Sequence, residues 1–298
     1  MQSDNNQLVV GLGELLWDLL PDGKQMGGAP ANFAYHAACL GNDTRVVSRI
    51  GDDELGGEVL ERFGALELDT QFLQSDPAHP TGTVPVEIDE GGQPDFTITE
   101  DVAWDYIRWT DELAGLAGTA DAVCFGSLAQ RCATSRETIQ RFLEATRPAC
   151  VRVFDVNLRQ AFYTAEVLAR SMESATIAKL NNDELPKVAA LLDCNGAGEN
   201  ETARELIRTF RLALVCVTRG ENGSLLVSAD TFSEHPGVEV DVVDTVGSGD
   251  AFTAALVYYF LRGAELDAIS EAANRLGAWV ATRPGATPDP GVEDYPLS

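Results

Sequence analysis

The sequence predicts an α/β fold in which helices cover both faces of a mostly parallel β-sheet. Short runs rich in β-branched residues alternate with longer segments whose apolar residues recur at helical spacing. The chain has 298 residues, of which 45% are hydrophobic, so it can bury a substantial core. No linker, internal repeat or low-complexity segment interrupts it. The length suits one large α/β domain or two small ones, and because no linker is evident we expect a single domain spanning residues 1–298.

The alternation assigns the elements in order along the chain. Strands are predicted at five apolar, β-branched runs, namely 7–13, 44–51, 121–127, 151–157 and 212–220. Helices are predicted at five segments with helical spacing, namely 29–41, 52–66, 135–147, 249–262 and 265–282. A hairpin is predicted at 223–237. Because such sheets bind ligands beyond the carboxyl ends of their strands, polar residues that follow a predicted strand are site candidates.

One region departs from this alternation. Residues 81–101 alternate in polarity on both sides of the sequence EGGQ, which is typical of a β-hairpin. No crossover helix accompanies it, so we expect the hairpin to lie outside the main sheet. Together with the segment 14–26 it would form a small β flap.

The composition excludes several classes of partner. The formal net charge is −26, from 47 acidic and 21 basic residues. Nucleic acids and anionic membranes are bound by basic faces, so neither is an expected partner. Lysine occurs only at positions 24, 179 and 187. An acidic, lysine-poor surface fits either adaptation to salt or ordinary solubility charge, and the residues alone leave both open.

The cysteines and the N-terminal sequence indicate the compartment. Six cysteines are scattered without a C-x-x-C pair, which favours buried, reduced thiols over a zinc site or a disulfide framework. The sequence MQSDNNQLVVG lacks the basic start of a signal peptide. No uninterrupted apolar run approaches the length of a membrane span. We expect a cytoplasmic protein.

A glycine-flanked turn lies directly before one predicted helix, in the sequence VVDTVGSGDAFTAALV. Glycine can adopt positive φ, and the first amides of a helix have no intrahelical acceptor. With the helix dipole, the amides of Gly247, Ser248 and Gly249 would form an anion hole. Asp250 at its edge could accept a proton from a hydroxyl that attacks a phosphate. An ordinary acidic residue in a first helical turn is the alternative, and it is the commoner case for an isolated aspartate.

Near the N-terminus, three residues suit a polyol ligand. Gly28 allows close approach of the backbone, and Asn32 in the next helical turn offers both a donor and an acceptor to sugar hydroxyls. Asp18 lies among apolar residues and needs polar partners, which hydroxyls or backbone amides could supply equally well. A solvent-facing Asn32 beside an ordinary glycine turn is the alternative.

More polar groups follow other predicted strands, at Asp155, Asn157, Arg159, Asn181 and Glu184. The last two are three residues apart where a helix can begin, and one or two such oxygen ligands suffice for a magnesium ion that also binds phosphates and water. An ordinary helix cap is the alternative for that pair. Thr218, with Gly220 and Gly223, follows another strand end and suits phosphate oxygens.

Two long motifs resemble those of one enzyme family. The segments GGAPANFAYHAACLGNDTRVVSRIG (27–51) and DTVGSGDAFTAALV (244–257) resemble the two motifs of the ribokinase-like, or phosphofructokinase-B, carbohydrate kinases. Their spacing also fits, and the resemblance covers essentially the whole chain. Within the family, the segments GELLWDLLPDGKQMGGAPANFAYHAA and TEDVAWDYIRW (99–109) look most like fructokinases.

This resemblance implies a fold and a reaction. The fold is ribokinase-like, with three α/β/α layers and a small β lid over the sugar, which the flap formed by 14–26 and 81–101 matches. The reaction is ATP-dependent phosphorylation of a sugar hydroxyl, with D-fructose giving fructose 6-phosphate as the leading case. The implied cofactors are ATP and Mg²⁺, with K⁺ as a further activator. Relatives often dimerise through such lids, so a homodimer is a further expectation.

The resemblance also implies roles for individual positions. Asp250 matches the catalytic base, and the anion hole for the transferring phosphoryl is matched by the amides of Gly247, Ser248 and Gly249. Sugar-binding positions are matched by Asp18, Gly28 and Asn32, and a residue near the sugar by Arg159. The N-x-x-E pair that supports magnesium and phosphate is matched by Asn181 and Glu184. Nucleotide positions are matched by Thr218, Gly220, Gly223, Gly249 and Asn274. A monovalent-cation loop is matched by Asp244 and Val246, with RPGA (283–286) beside it.

Two departures from the family pattern leave alternatives open. Arg219 stands where many relatives have a neutral residue, and it either contacts phosphate or compensates for scarce lysine. Asp289 stands where relatives often have a small hydroxyl residue, which leaves potassium activation open. A ribokinase and a 2-keto-3-deoxygluconate kinase remain alternatives, the latter because Arg159 can face a carboxylate. A non-catalytic sugar or nucleotide binder is the alternative from another class.

Overall fold

The computed structural model describes residues 6–21, 23–88, 94–291 and 295. Its strands are β1 Leu8–Leu12, β2 Leu16–Leu20, β3 Gly23–Gly27, β4 Asp43–Gly51, β5 Leu73–Asp76, β6 Gly82–Ile88, β7 Pro94–Phe96, β8 Ala122–Gly126, β9 Val151–Asp155, β10 Ile177–Asn181, β11 Leu214–Thr218, β12 Ser224–Val227 and β13 Phe232–His235. Its helices are α1 Ala29–Cys39, α2 Glu54–Ala65, α3 Asp111–Thr119, α4 Ala133–Ala145, α5 Ala165–Ser174, α6 Glu184–Leu191, α7 Glu199–Phe210, α8 Ser248–Leu261 and α9 Leu266–Ala281. All the strands and helices predicted from the sequence are present, while β5, β10, α3, α5, α6 and α7 lie outside the predicted ranges.

The central sheet has nine strands in the order β13-β12-β11-β10-β9-β8-β1-β4-β5. The seven strands from β11 to β5 run parallel to their neighbours. The last two, β12 and β13, are antiparallel and form the predicted hairpin. The prediction of a mostly parallel sheet is therefore confirmed. Because the parallel strands share a direction, the residues that follow β1, β8, β9, β10 and β11 meet at one edge.

Helices cover both faces of this sheet, as its near-continuous apolar strands require. One face packs against α3, α4, α5, α6 and α7. The other packs against α1, α8 and α9. Side chains alternate between the two cores along each strand, so that in β10 Ala178 and Leu180 face the first core and Ile177 the second. Lys179 therefore points toward the layer that contains α8.

Helix α1 shows how local sequence sets these elements. Pro30 occupies the first turn, where its missing N–H costs no hydrogen bond, and Gly41 at φ +87° follows the end of the helix. Gly11 of β1 lies against the Pro30 carbonyl oxygen, which a Cβ there would approach to 2.1 Å. This close contact holds the start of α1 on the sheet beside β1.

A separate four-stranded sheet, with the order β3-β2-β6-β7, forms the lid. Strand β2 pairs antiparallel with β3 and parallel with β6, and β6 pairs antiparallel with β7. These strands come from the segments 14–26 and 81–101 that the sequence predicts for a β flap, and the EGGQ turn (90–93) lies outside the described residues. Asp53 anchors the base of the lid, because its carboxylate accepts hydrogen bonds from the amide and hydroxyl of Thr81 at 2.8 and 2.7 Å.

The sequence also predicts buried, reduced thiols and no membrane span. All six cysteines are free thiols, and four of them are buried. No helix in the described ranges is long and apolar enough to cross a membrane.

Candidate active site

Helix α8 begins at the glycine-flanked turn. Gly247 has φ +78°, and a Cβ at this position would lie 2.6 Å from the Ala286 Cα, so glycine is required both for conformation and for space. The Ser248 amide donates to the Thr245 carbonyl at 3.2 Å. In the described part of the chain, the amides of Gly249 and Asp250 have no acceptor. The free donors that an anion hole needs are thus those of Gly249 and Asp250, while the Ser248 amide is engaged within the turn.

Asp250 joins this turn to the other long motif. The Asn32 side-chain amide, on α1, donates to the Asp250 carboxylate at 2.9 Å, across 218 positions of sequence. Burial, and the nearby negative charge of Asp155, raise the Asp250 pKa to about 7, against the opposing influence of Asn32, Lys179 and other partners. A carboxyl group with this pKa can exchange a proton near neutral pH.

An ion pair lies beneath the same turn. Asp155 and Lys179 are register neighbours on β9 and β10, and the Lys179 Nζ lies 3.1 and 3.2 Å from the two Asp155 carboxylate oxygens. The Thr253 hydroxyl lies within hydrogen-bonding distance of the Gly249 carbonyl (2.8 Å) and of Asp155 (3.3 Å), which links the pair to the first turn of α8. Burial lowers the Lys179 pKa, but the carboxylates of Asp155, Asp250 and Glu184 outweigh it and raise that pKa above its usual value.

Several buried acceptor groups lie near the lid, and two of them have no hydrogen-bond partner in the described residues. Gly28, at φ +113°, lies against the Glu14 carbonyl oxygen, which a Cβ would approach to 2.4 Å. Asn32 is buried and its Oδ1 has no hydrogen-bond donor in the described residues, and the same holds for Oε2 of the buried Glu14. Burial raises the Asp18 pKa to about 6, although the exposed Arg159 opposes the shift. Unpartnered acceptors of this kind suit the hydroxyl groups of a polyol.

A cleft with a cavity of about 720 Å³ opens beside Gly249, between the end of β11, the loop that follows β13 and the helices α8 and α9. It brings together most of the predicted nucleotide positions, and it is lined by Asn181, Thr218, Gly220, Gly223, Ser248, Gly249 and Asn274. The lining also includes the apolar residues Val238, Val240, Val242, Phe252 and Ala278, which the sequence interpretation missed because they come from a loop and two helices. A cleft lined by both polar and apolar side chains fits a nucleotide.

Asn274 at the cleft and Arg219, which lies between the lining residues Thr218 and Gly220 in the chain, have structural bonds of their own. The Asn274 side-chain amide donates to the Ser224 hydroxyl and to the Ser270 carbonyl, both at 2.8 Å, which fixes the side chain at the cleft wall. Arg219 is held by two carboxylates, because its guanidinium donates to Glu199 at 2.8 Å and to Glu234 at 2.6 Å. These ion pairs favour the second alternative for Arg219, a cation that compensates for scarce lysine, over one that contacts phosphate.

Asn181 and Glu184 form a cap at the start of α6. The Asn181 Oδ1 accepts from the amides of Asp183 and Glu184, both at 2.9 Å. The buried Glu184 carboxylate accepts from the Leu158 amide at 2.7 Å and from the Asn181 amide at 2.9 Å. The helix-cap interpretation is therefore correct, and the same bonds fix a carboxylate between the ends of β9 and β10, beside the cleft.

The predicted cation loop is drawn together by one carboxylate. Asp244 accepts from the Val246 amide at 3.0 Å with one oxygen and from the Gly285 amide at 3.0 Å with the other. The segment 283–286 is thereby held against the start of α8. Asp289 turns back on its own segment and accepts from the Gly291 amide at 2.8 Å.

Comparisons with known proteins agree with this arrangement. The family model described as pfkB family carbohydrate kinase matches residues 22–291. A fructokinase of Klebsiella pneumoniae is 33% identical over 258 residues, covering 83% of this chain and 82% of that protein. A putative sugar kinase of Pyrococcus horikoshii is 29% identical over 306 residues, covering 96% of this chain and 94% of that protein.

Solved structures match along the same length. The Pyrococcus horikoshii kinase in complex with ATP superposes with a TM-score of 0.79 at 28% identity, and the match covers 94% of each chain. Aminoimidazole riboside kinase from Salmonella enterica, complexed with aminoimidazole riboside and an ATP analogue, superposes with a TM-score of 0.78 at 26% identity, covering 94% of this chain and 95% of that one. The chain therefore belongs to the pfkB family of carbohydrate kinases, which are ATP-binding transferases.

Proposed function

We propose that this sugar kinase is a fructokinase, which transfers the γ-phosphoryl group of ATP to the 6-hydroxyl of D-fructose. The observation that carries the proposal is the hydrogen bond from Asn32 to Asp250. This hydrogen bond supports the proposal because it joins Asp250 to Asn32, one of the polyol-suited groups, while Gly249, the residue before Asp250, lines the nucleotide-suited cleft. The fructokinase relative supports the choice of sugar.

In this proposal Asp250 removes the proton from the sugar hydroxyl as the hydroxyl oxygen attacks the γ-phosphorus. The new O–P bond forms, the bond between the γ-phosphorus and the ADP oxygen breaks, and the proton passes from Asp250 to solvent. The amides of Gly249 and Asp250, which have no acceptor in the described residues, hold the charge on the transferring group. Closure of the lid would exclude water, which would otherwise compete as acceptor.

The sugar would lie between the lid and α1. The unpartnered Asn32 Oδ1 and the Asp18 carboxylate would accept from sugar hydroxyls, and Gly28 lets the start of α1 pack closely against the Glu14 carbonyl beside them. Arg159 is exposed near Asp18 and would lie over the sugar. These roles follow from unsatisfied acceptors in a site where each polar group is expected to have a partner.

The nucleotide would occupy the cleft, with its phosphates at Thr218, Gly220, Gly223 and Gly249 and its base near Asn274. The described residues contain no group of three or more His, Cys, Asp or Glu side chains able to hold a metal alone. A single carboxylate fits Mg²⁺, because this ion keeps several waters and binds substrate phosphates. Glu184, fixed by two amides, would contact the ion through water. When bound, Mg²⁺ neutralises charge on the phosphates.

Two further parts of the proposal concern a cation and assembly. Asp244 and Val246 would form one side of a K⁺ site, because Asp244 already joins their loop to Gly285. Strands β3 and β7 are the edges of the lid sheet, and edges favour pairing, so a homodimer would form through the lid. A phosphorylation rate that stays the same when Li⁺ replaces K⁺ would exclude the K⁺ site. A monomeric mass in light scattering would exclude the homodimer.

A coupled assay of ADP release over a panel of sugars tests the substrate. We expect D-fructose to give the highest kcat/KM among fructose, ribose, aminoimidazole riboside and 2-keto-3-deoxygluconate. Aminoimidazole riboside belongs in the panel because its kinase is a structural neighbour. The keto acid belongs there because the exposed Arg159 could pair with its carboxylate. A preference for another sugar would identify that sugar as the substrate in place of fructose. No turnover with any sugar would support a non-catalytic binder.

The pH dependence of sugar binding tests Asp18. Because its pKa is about 6, Asp18 gains a proton as the pH falls below that value and loses acceptor strength for a sugar hydroxyl. We expect the Kd for fructose, measured by calorimetry without nucleotide, to rise between pH 7 and pH 5. In Asp18→Asn this part of the pH dependence should disappear. A wild-type Kd that stays constant over this range would exclude Asp18 as a hydroxyl acceptor.

A further inference from the structure

Lys179 is a buried cation in a chain that otherwise keeps its few lysines on the surface. Only 8% of the Lys179 surface is exposed to solvent, whereas Lys24 and Lys187 lie at the surface. A charged group in the interior needs compensating partners, and removing it from water is costly. The sequence uses arginine for nearly all its other cations, so a lysine at this position calls for a specific explanation.

The ammonium lies directly beneath the anion hole. A Cβ built on Gly249 would be 3.0 Å from the Lys179 Nζ, so the charge sits against the backbone that carries a free amide donor. Asp155 fixes it there from the neighbouring strand, at 3.1 and 3.2 Å. The Thr253 hydroxyl in turn connects Asp155 with the Gly249 carbonyl. The position of the charge is therefore set by β9, β10 and the first turn of α8 together.

The local charges show why a fixed cation matters here. The carboxylates of Asp155, Asp250 and Glu184 all act on Lys179. Without its ammonium, these three carboxylates would face the phosphates of ATP with the exposed Arg159 as the remaining cation that acts on Asp250. At low dielectric, a preoriented positive charge stabilises developing anionic charge far more than it would in water.

We propose that Lys179 is a positioning residue for phosphoryl transfer, held by Asp155 beneath Gly249 so that its ammonium supplies fixed positive charge to the anion hole. The inference rests on the proposed kinase function of the same site. Lys179 acts through the backbone of the first turn of α8 and through the field it creates there. It therefore supports the transition state more than it supports binding of either substrate.

The test compares Lys179→Met with Lys187→Met, which removes the same charge from the exposed face of α6. In Lys179→Met we expect kcat to fall by at least about tenfold, with the KM values for ATP and fructose changing less than about threefold. A second measurement uses MgADP and fructose with aluminium fluoride, which mimics the transferring phosphoryl group. The wild type should bind this combination more tightly than MgADP and fructose alone, and Lys179→Met should lose that gain. Lys187→Met should behave as the wild type in both.

Leaving Asp155 buried and unpaired could destabilise Lys179→Met, so a second pair of variants removes that difficulty. Asp155→Asn retains the ammonium and one side-chain oxygen that can still accept its hydrogen bond, and Asp155→Asn with Lys179→Met removes both charges. We expect only the double variant to lose the fluoride-dependent gain in affinity. Equal gains in both, or an unchanged kcat per folded enzyme in Lys179→Met, would overturn the proposal. A wild type without turnover on any sugar would instead overturn the proposed function.

Discussion

Replacement of Asp250 by alanine is expected to abolish phosphoryl transfer, lowering kcat by roughly 10³-fold or more while fructose binding largely survives. General bases contribute about 10²–10⁴-fold to such reactions. Asp250 also joins the two motifs, and among the residues that the structure describes it is the only side chain hydrogen-bonded to the Asn32 side chain. The sugar-side groups at Asp18, Gly28 and Asn32 remain in the variant, which is why the loss should fall on kcat.

Steady-state kinetics and calorimetry together check this expectation. Asp250→Asn is the matched control, because it keeps the volume and one oxygen acceptor for the Asn32 amide but cannot take a proton. It should bind fructose with nearly wild-type affinity and remain as inactive as Asp250→Ala. In the wild type, kcat/KM should fall below about pH 7 as Asp250 becomes protonated. Near-normal turnover in either variant would remove Asp250 from the role of base.

The same carboxyl group should affect stability in a direction fixed by its pKa. Its value rises from 3.8 to about 7 on folding, so between these pH values the folded chain holds a proton that the unfolded chain has lost. The contribution of Asp250 to the free energy of unfolding is therefore largest at low pH and declines as the pH rises through 7. Relative to the wild type, Asp250→Asn should gain stability as the pH is raised from 5 to 8.

The sequence predicts the sheet, the lid strands, the turn before α8 and the start of α1, because each of these has a signal in its own local sequence. Gly247 and Gly249 mark a turn, Pro30 marks a helix start, and strands such as 151–157 are continuous apolar runs. Strand β5 has no such signal, because its residues LQSD are neither apolar nor alternating, and its pairing with β4 defines it. Helix α7 could have been found, since Ala203, Leu206 and Ile207 recur at helical spacing.

Other parts of the site depend on contacts that no local pattern encodes. Asp155 was a candidate from its place after a strand, but its partner Lys179 was not, because their pairing depends on the register of β9 and β10. A lysine inside an apolar strand of a lysine-poor chain is the signal that could have found it. Glu14 likewise lies in an apolar run, and only its burial shows the unpartnered oxygen. The free amides at the turn also required coordinates, because the Ser248 amide is used by Thr245.

Replacement of Gly247 by alanine is expected to give the second large loss, lowering kcat by about 10²-fold. A Cβ there would lie 2.6 Å from the Ala286 Cα and 2.7 Å from its carbonyl oxygen, so Ala286 or the start of α8 must move. The shift needed to reach an ordinary carbon–carbon contact is about 1 Å. Displacements of this size at a reacting centre can cost about 10²-fold in rate. The moved turn would carry the Gly249 and Asp250 amides away from the phosphoryl group.

Gly263 provides a matched control at the other end of the same helix. It has φ +69°, close to the +78° of Gly247, but a Cβ there would meet nothing within 4 Å. Both alanine variants should lose about 1–2 kcal/mol of stability for the left-handed conformation. Only Gly247→Ala should also lose turnover, with its fructose affinity retained, as kinetics and thermal denaturation of the pair would show. Equal activity in the two variants would mean that the close contact between Gly247 and Ala286 does not set the position of the anion hole.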